Sequence, residues 1–149
     1  MATHADIPAI AGLLGELFSQ EAEFTPDAAA QARGLSMLLD QPSAAGIFVA
    51  EADGRVIGSV TLLYSVSTAL GARIAMLEDM IITRTFRGHG LGPRLLTFAI
   101  EAARRDGIAR ITLLTDPDNF AAHRLYERMG FHRSAMVVYR KMMPRSLTV

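Results

Sequence analysis

Arg87-Gly88-His89-Gly90-Leu91-Gly92 lies between an apolar, strand-like run ending at Thr83 and an amphipathic, helix-like run beginning at Leu91. Glycines alternating through a strand-to-helix turn let the backbone approach a ligand closely and aim amide N–H groups at it. Such a turn suits a phosphate or pyrophosphate, and Arg87 adds a fixed positive charge beside it. Two common phosphate loops do not fit. Glycines at 88, 90 and 92 miss the G-x-G-x-x-G spacing, and no Lys-Ser or Lys-Thr follows Gly92 as a Walker loop requires.

A second cluster follows at Asp116-Pro117-Asp118-Asn119 and continues as Asn119-x-x-Ala122-x-x-x-Tyr126-x-x-x-Gly130-Phe131. Taken with Arg87-x-x-Gly90-x-Gly92, this resembles the GNAT acetyltransferase superfamily, whose acyl-coenzyme A turn reads Arg/Gln-x-x-Gly-x-Gly/Ala. The resemblance covers nearly the whole chain and is sharp from about Glu78 onward. It implies an α/β (α+β) fold of the acyl-CoA acyltransferase type, with a mixed, mostly antiparallel sheet flanked by helices. It also implies one domain over residues 1–149.

Bulk properties agree with a folded enzyme. The length of 149 residues suits one well-cored domain and is short for two. Fifteen basic residues balance fifteen acidic ones, which argues against a general nucleic-acid binder. Half the residues are hydrophobic, so disorder is not expected. Without cysteine there is no disulfide, thiolate metal site or covalent Cys intermediate. No apolar run approaches the ~18 residues of a membrane span. No basic-then-hydrophobic leader opens the chain, so a cytoplasmic location is expected.

The elements follow from periodicity and punctuation. Asp6 can cap a helix whose first turn tolerates Pro8, with Ile7, Ile10, Leu14, Leu17 and Phe18 at helical spacing. Thr25-Pro26-Asp27 starts a second helix with Leu35, Leu38 and Leu39 on its apolar side, and Pro42 limits its length. Ile47–Glu51 and Arg55–Tyr64 read as strands joined by an Asp53-Gly54 hairpin, and Ile74–Thr83 as a third strand. Leu91–Arg105 reads as a helix with Leu91, Leu95, Phe98, Ala99 and Ala102 inward, ended by Asp106-Gly107. Ile111–Thr115 is a short strand, Asn119 caps a helix that Gly130 ends, and Ala135–Met142 is a last strand. Adjacent strands imply antiparallel pairing, and the strand–helix–strand unit at 74–115 implies one parallel pair.

The family opens with an edge strand before a cap such as Asp6. Met1 stands almost at that cap, so this strand is expected to be missing or very short. An exposed backbone edge near residues 47–64 follows, and with it the expectation of a homodimer.

Acetyl transfer from a thioester to an amine needs a held cofactor, a neutral amine, a stabilised oxyanion and a protonated leaving thiolate. The resemblance implies that the turn Arg87, Gly88, His89, Gly90, Leu91, Gly92 and Pro93 holds the pyrophosphate at a helix N-terminus. Pro93 lacks an N–H where the family more often has a donor, while its fixed φ preorganises the first helical turn. The backbone of Met80-Ile81-Ile82, running on to Thr83, would pair with the pantetheine arm, and one N–H there would face the thioester oxygen. Asn119 would contact the cofactor, and Tyr126 would protonate the sulfur. A phenol of pKa about 10 can donate to a thiolate whose conjugate acid is near about 8.5 because it is positioned to do so. Glu78, on the Met80 face by strict alternation, could accept the ammonium proton directly or through water, with Asp79 on the opposite face as its rival.

Each assignment has a plainer competitor. Arg87 could be a surface charge, Tyr126 a core aromatic, Asn119 chiefly a cap, and Glu78 and Asp79 solvated strand-end charges. His89 points to solvent or a phosphate. His4, His123 and His132 share no metal-ligand spacing, so no metal is expected. Glu21, Glu23 and Asp27 read as a solvated loop before they read as an acidic lip for a cationic amine. The leading expectation is an N-acetyltransferase that joins acetyl-CoA and a primary amine of a small molecule or peptide in a ternary complex. A non-catalytic acyl-CoA sensor would share the turn but need neither Tyr126 nor Glu78. A Rossmann-like phosphate domain is disfavoured by the adjacent antiparallel strands.

Overall fold

The structure is a computed structural model, and it describes residues 1–20 and 24–143. A 3-10 turn at His4–Asp6 leads into helix α1, Ile7–Phe18, which is followed by α2, Ala28–Leu39. Strands β1, Ala45–Ala52, β2, Arg55–Ser67, and β3, Ala72–Ile82, come next. Then come α3, Leu91–Arg105, β4, Ile111–Leu113, and α4, Phe120–Arg128. The sheet order is β1-β2-β3-β4, antiparallel except for the parallel β3–β4 pair. The antiparallel run of β1 to β3 and the parallel β3–β4 crossover are as the sequence implies.

Local punctuation explains most boundaries. Asp53 and Gly54 both have positive φ, 50° and 71°, as a tight hairpin turn between β1 and β2 requires. Asp27 caps α2 by accepting from the Ala30 N–H at 3.0 Å. Asp6 behaves differently from a simple cap of α1. Its carboxylate reaches back to the Thr3 N–H at 2.7 Å and the Thr3 hydroxyl at 3.0 Å, so Thr3 opens the helical segment and Asp6 closes a reciprocal box. Of the acidic lip residues, Glu21 and Glu23 lie outside the described residues.

Two layers cover the sheet. On one face Ile10, Ala11 and Leu14 of α1 and Leu35 of α2 pack on Ile47. On the other, Leu95, Leu96, Ala99, Ala102 and Ala103 of α3 pack on Phe48, Val60, Leu62, Ala75 and Leu77. This inward stripe differs from the expected one at Phe98, which is 53% exposed and touches Phe48 only edge-on at 5.9 Å. Leu96 takes the central place instead.

Two further corrections concern the sheet. Residues 135–142 form no strand, and Met136 and Tyr139 are 88% and 92% exposed. Only three residues of β4 are paired, so the sheet offers that segment a short template on this side. The expected open edge at 47–64 is confined to β1, because β2 is paired on both sides. Among the described residues no strand precedes β1. Ahead of α1, the Ala2 N–H bonds the Ile47 carbonyl of β1 at 2.8 Å.

Candidate active site

β3 carries the decisive irregularity. Ser59 pairs with Ile81 and Thr61 with Glu78, so Asp79 and Met80 together oppose the single Val60. The bulge puts Asp79 in the left-handed region, φ 53°, where aspartate is among the residues that tolerate it. It also overturns strict alternation. Glu78 and Ile81 stand beside Thr61 and Ser59, whereas Met80 packs with Val60 on the α3 side. Glu78 therefore does not share a face with Met80. It is exposed, and register places it on the α1 side of the sheet.

Beyond the bulge the sheet opens. β3 and β4 pair only from Ala75–Leu77 against Ile111–Leu113, so β3 runs on to Ile82 with no neighbour on that side among the described strands. Parallel strands that part in this way leave backbone groups of one edge facing a cleft.

The glycine turn follows directly. A 3-10 turn at Arg84–Phe86 reverses the chain, and Gly88 and Gly90 take φ of 82° and 72°. Gly90 is the N-cap of α3 and has no side chain to cap with. Among the described residues, the N–H groups at 88–92 meet no acceptor, so they remain available at the positive end of a 15-residue helix. A Cβ at Gly88 or Gly90 would meet nothing within 4 Å, so the space above the turn is open. At Gly92 a Cβ would lie 3.7 Å from the Met80 Sδ-methyl carbon, which ties the start of α3 to the bulge. Pro93 costs α3 no internal bond at this place. Ile81 and Ile82 are buried, Thr83 is half-buried, and His89 is exposed.

Arg87 is placed otherwise than expected. Its Nε donates to the Ile82 carbonyl at 2.8 Å, Nη1 to Gln20 Oε1 at 3.2 Å and Nη2 to Glu16 Oε1 at 3.1 Å. The guanidinium fastens the turn to α1 and does not stand free beside the amide cradle. Glu16 and Gln20 were not singled out from the sequence. Their partners are over sixty residues away, and within α1 Glu16 looks like an ordinary polar-face residue.

α4 rests on the α3-side core through Leu125 and Tyr126. Asn119 caps it, its Oδ1 accepting from the Ala122 N–H at 3.2 Å, which leaves the amide nitrogen as the side chain's donor. At the far end the Gly130 N–H bonds the Glu127 carbonyl and the Phe131 N–H bonds the Tyr126 carbonyl, both at 3.0 Å, with Gly130 at φ 87°. This glycine-terminated arrangement brings the residue after the glycine back against the last turn. The contact here is edge-to-face, Tyr126 to Phe131 with ring centroids 5.7 Å apart. Tyr126 leans on the α3-side core, and burial pushes its phenol pKa above the usual 10.0. Its hydroxyl therefore keeps its proton throughout the neutral range.

His123 bonds the Asp116 carbonyl at 2.9 Å and His4 pairs with Asp40 at 3.0 Å. Among the described residues no cluster of His, Asp or Glu could hold a metal ion. No helix there is long and apolar enough to cross a membrane. A cavity of about 270 Å³ lies elsewhere, lined by Phe48, Tyr64, Phe98, Arg105 and Asp106 at the C-terminal end of α3. The ~1.5 Å rise per helical residue puts that end roughly 20 Å from the turn.

Open amides at a glycine turn, a bulged strand and a parted parallel pair occur here together, and the profile of the acetyltransferase (GNAT) family matches residues 10–131. The chain belongs to the GNAT acetyltransferase family. It is similar to the uncharacterized N-acetyltransferase YhfO of Bacillus subtilis, 33% identical over 93 residues that make up 62% of each chain. It is also similar to N-alpha-acetyltransferase 30 of Schizosaccharomyces pombe, 38% identical over 88 residues, 58% of this chain and 57% of that one. The match thus spans less than two thirds of the length of these curated relatives. An integron cassette protein from the mobile metagenome of Cole Harbour Salt Marsh shares the fold, with a TM-score of 0.83, 24% identity, and coverage of 97% of this chain and 90% of that one.

Proposed function

We propose that this GNAT domain, spanning residues 1–149, transfers the acetyl group of acetyl-CoA to a primary amine of a small molecule or peptide. The observation that carries this reading is the row of N–H groups at 88–92, open among the described residues, on the axis of α3 and following the part of bulged β3 beyond its pairing with β4. A pyrophosphate at the row would be held by amides and the helix dipole. The pantetheine arm would then extend the sheet along Ile81, Ile82 and Thr83, filling the place β4 leaves.

Reaction is direct attack in a ternary complex. Glu78 takes a proton from the incoming ammonium on the α1 side. The neutral amine attacks the thioester carbon, and an N–H near the bulge stabilises the oxyanion. As the tetrahedral intermediate collapses, the carbon–sulfur bond breaks and Tyr126 on the α3 side supplies a proton to the departing thiolate. The nitrogen gives up its second proton to solvent water, from which Tyr126 is reprotonated. Asn119 contributes its amide nitrogen to the cofactor. With the base and the acid on opposite faces, amine and thiol enter and leave by separate routes. A homodimer through the β1 edge is part of the proposal, because β1 pairs with β2 alone among the described strands, and the Ala2 N–H takes the Ile47 carbonyl on its outer side. A strictly monomeric mass by light scattering at high concentration would remove it.

The test uses acetyl-CoA with a panel of amines, amino acids, aminoglycosides and peptides, read by release of free thiol. Acetyl-CoA should bind in titration calorimetry. Gly90→Val should weaken binding roughly 10-fold or more, because a β-branched residue forces the turn out of its left-handed geometry and fills the approach to the amides. Unaltered affinity in a folded Gly90→Val protein would remove the cofactor from this turn.

A further inference from the structure

Glu16 lies outside the motifs, yet one carboxylate gathers three partners from the stretch just before the glycine turn. Oε2 accepts from the Thr83 hydroxyl at 3.0 Å. Oε1 accepts from the Arg84 N–H at 3.0 Å and from Arg87 Nη2 at 3.1 Å. The Glu16 side chain is only 23% exposed, although α1 is a surface helix. Its helix is fixed to the sheet by Ile10, Ala11 and Leu14.

We infer that Glu16 is the positioning residue of the cofactor turn, holding Thr83, Arg84 and Arg87 against α1 so that the amides at 88–92 are presented in one geometry. The inference rests on the acetyl-CoA reading of that turn. Hydrogen bonds to an ionised carboxylate are shorter and stronger than neutral ones, and three on one group define the place of a short segment. Gly88 and Gly90 supply no such definition, because glycine has the widest choice of backbone conformations. The anchor therefore sits where the glycines need it. It also explains why Arg87 turns away from the amide cradle: the arginine is a tie, and its charge is already matched by Glu16. Because α1 covers the face that carries Glu78, the same carboxylate joins the amine side of the sheet to the cofactor side.

A purely electrostatic view predicts the opposite behaviour. If Glu16 were only a negative charge near a pyrophosphate site, its removal would strengthen cofactor binding. Glu16→Ala and Glu16→Gln separate the two, since glutamine keeps an acceptor oxygen for Thr83 or Arg84 but loses the charge. Positioning predicts that Glu16→Ala weakens acetyl-CoA binding about 10-fold, the equivalent of one charge-assisted hydrogen bond, and that Glu16→Gln recovers part of it through the one acceptor it keeps. The loss should fall on KM for acetyl-CoA rather than on kcat. Amide exchange at residues 83–87 should quicken in ligand-free Glu16→Ala and not in the core of β2. Equal or tighter acetyl-CoA binding by Glu16→Ala would overturn the inference, as would unaltered exchange at 83–87. Should the wild-type protein not bind acetyl-CoA, the proposed function falls and the cofactor-positioning inference falls with it. The exchange measurement would then report only whether Glu16 anchors this segment.

Discussion

α3 and α4 end alike but are held differently. Each stops at a glycine in the left-handed region, Gly107 and Gly130, and each sends the next apolar residue back onto its last turn through a pair of backbone hydrogen bonds. Yet α3 buries Leu95, Leu96, Ala99, Ala102 and Ala103, whereas α4 buries no residue fully. The helix that would hold the pyrophosphate is a core element. The helix that would carry the proton donor is held by its caps, by partial contacts of Leu125, Tyr126 and Met129, and by the ring pair of Tyr126 with Phe131. Local stability is expected to follow that difference, with α4 opening well before α3. Under the proposed function, a firm cradle at α3 and a softer helix carrying Tyr126 would suit a site that must admit a long cosubstrate and release its product.

The sharpest way to test this division is Tyr126→Phe, because it should reach chemistry and leave the cradle intact. The ring and its contact with Phe131 remain, and only the proton donor is lost. Turnover should fall by about 10²-fold or more, the usual range for a general acid, with little change in acetyl-CoA affinity. Burial raises the Tyr126 pKa, so the acid stays loaded at neutral pH and no fall in rate from its ionisation should occur below about pH 10. The same sign governs stability. The unfolded phenol ionises first, so this residue's contribution is constant below about pH 10 and is lost as pH rises toward the higher folded value. Wild-type turnover in Tyr126→Phe, under conditions where chemistry limits the rate, would make Tyr126 a packing residue and favour a non-catalytic acyl-CoA sensor.

What the sequence disclosed, and what it hid, divides by the range of the interactions concerned. Asp53-Gly54, Asp106-Gly107, Gly130 and the Asn119 cap are local chemistry, complete within a few residues, and each stands where the sequence indicated. The bulge at Asp79-Met80 was hidden because it exists only as a mismatch against Val60 on another strand. Alternation along β3 alone therefore placed Glu78 on the wrong face. Glu16 was hidden for the same reason, its meaning lying in Thr83, Arg84 and Arg87. At Phe98 helical spacing alone did not fix the edge of the stripe, since Leu96 is fully buried and the Phe98 ring stays at the rim. Residues 135–142 have strand-like composition, but a strand needs an edge, and only three residues of β4 are paired.

The smallest expected effect isolates the softness of α4. Asn119→Ala removes the side-chain oxygen that accepts from the Ala122 N–H at 3.2 Å and leaves an orphan donor at an exposed helix start. Loss of such a cap costs about 1 kcal/mol. In α3 a cost of that size would be masked, because its residues open only with the core. In α4 it should appear locally, as amide exchange through 120–128 several times faster while exchange in α3 and the midpoint of global unfolding barely move. Asn119 would also lose any donor contact with the cofactor, which complicates kinetics but not exchange in the ligand-free protein. Asn119→Asp supplies the control, since it keeps the accepting oxygen and adds a charge favourable at a helix N-terminus. Faster exchange in Asn119→Ala that Asn119→Asp restores would tie the stability of the Tyr126 helix to its cap. Equal exchange in all three proteins would show that Leu125, Tyr126 and Met129 hold α4 through packing alone, and the contrast between the two helices would then be one of burial without a difference in local stability.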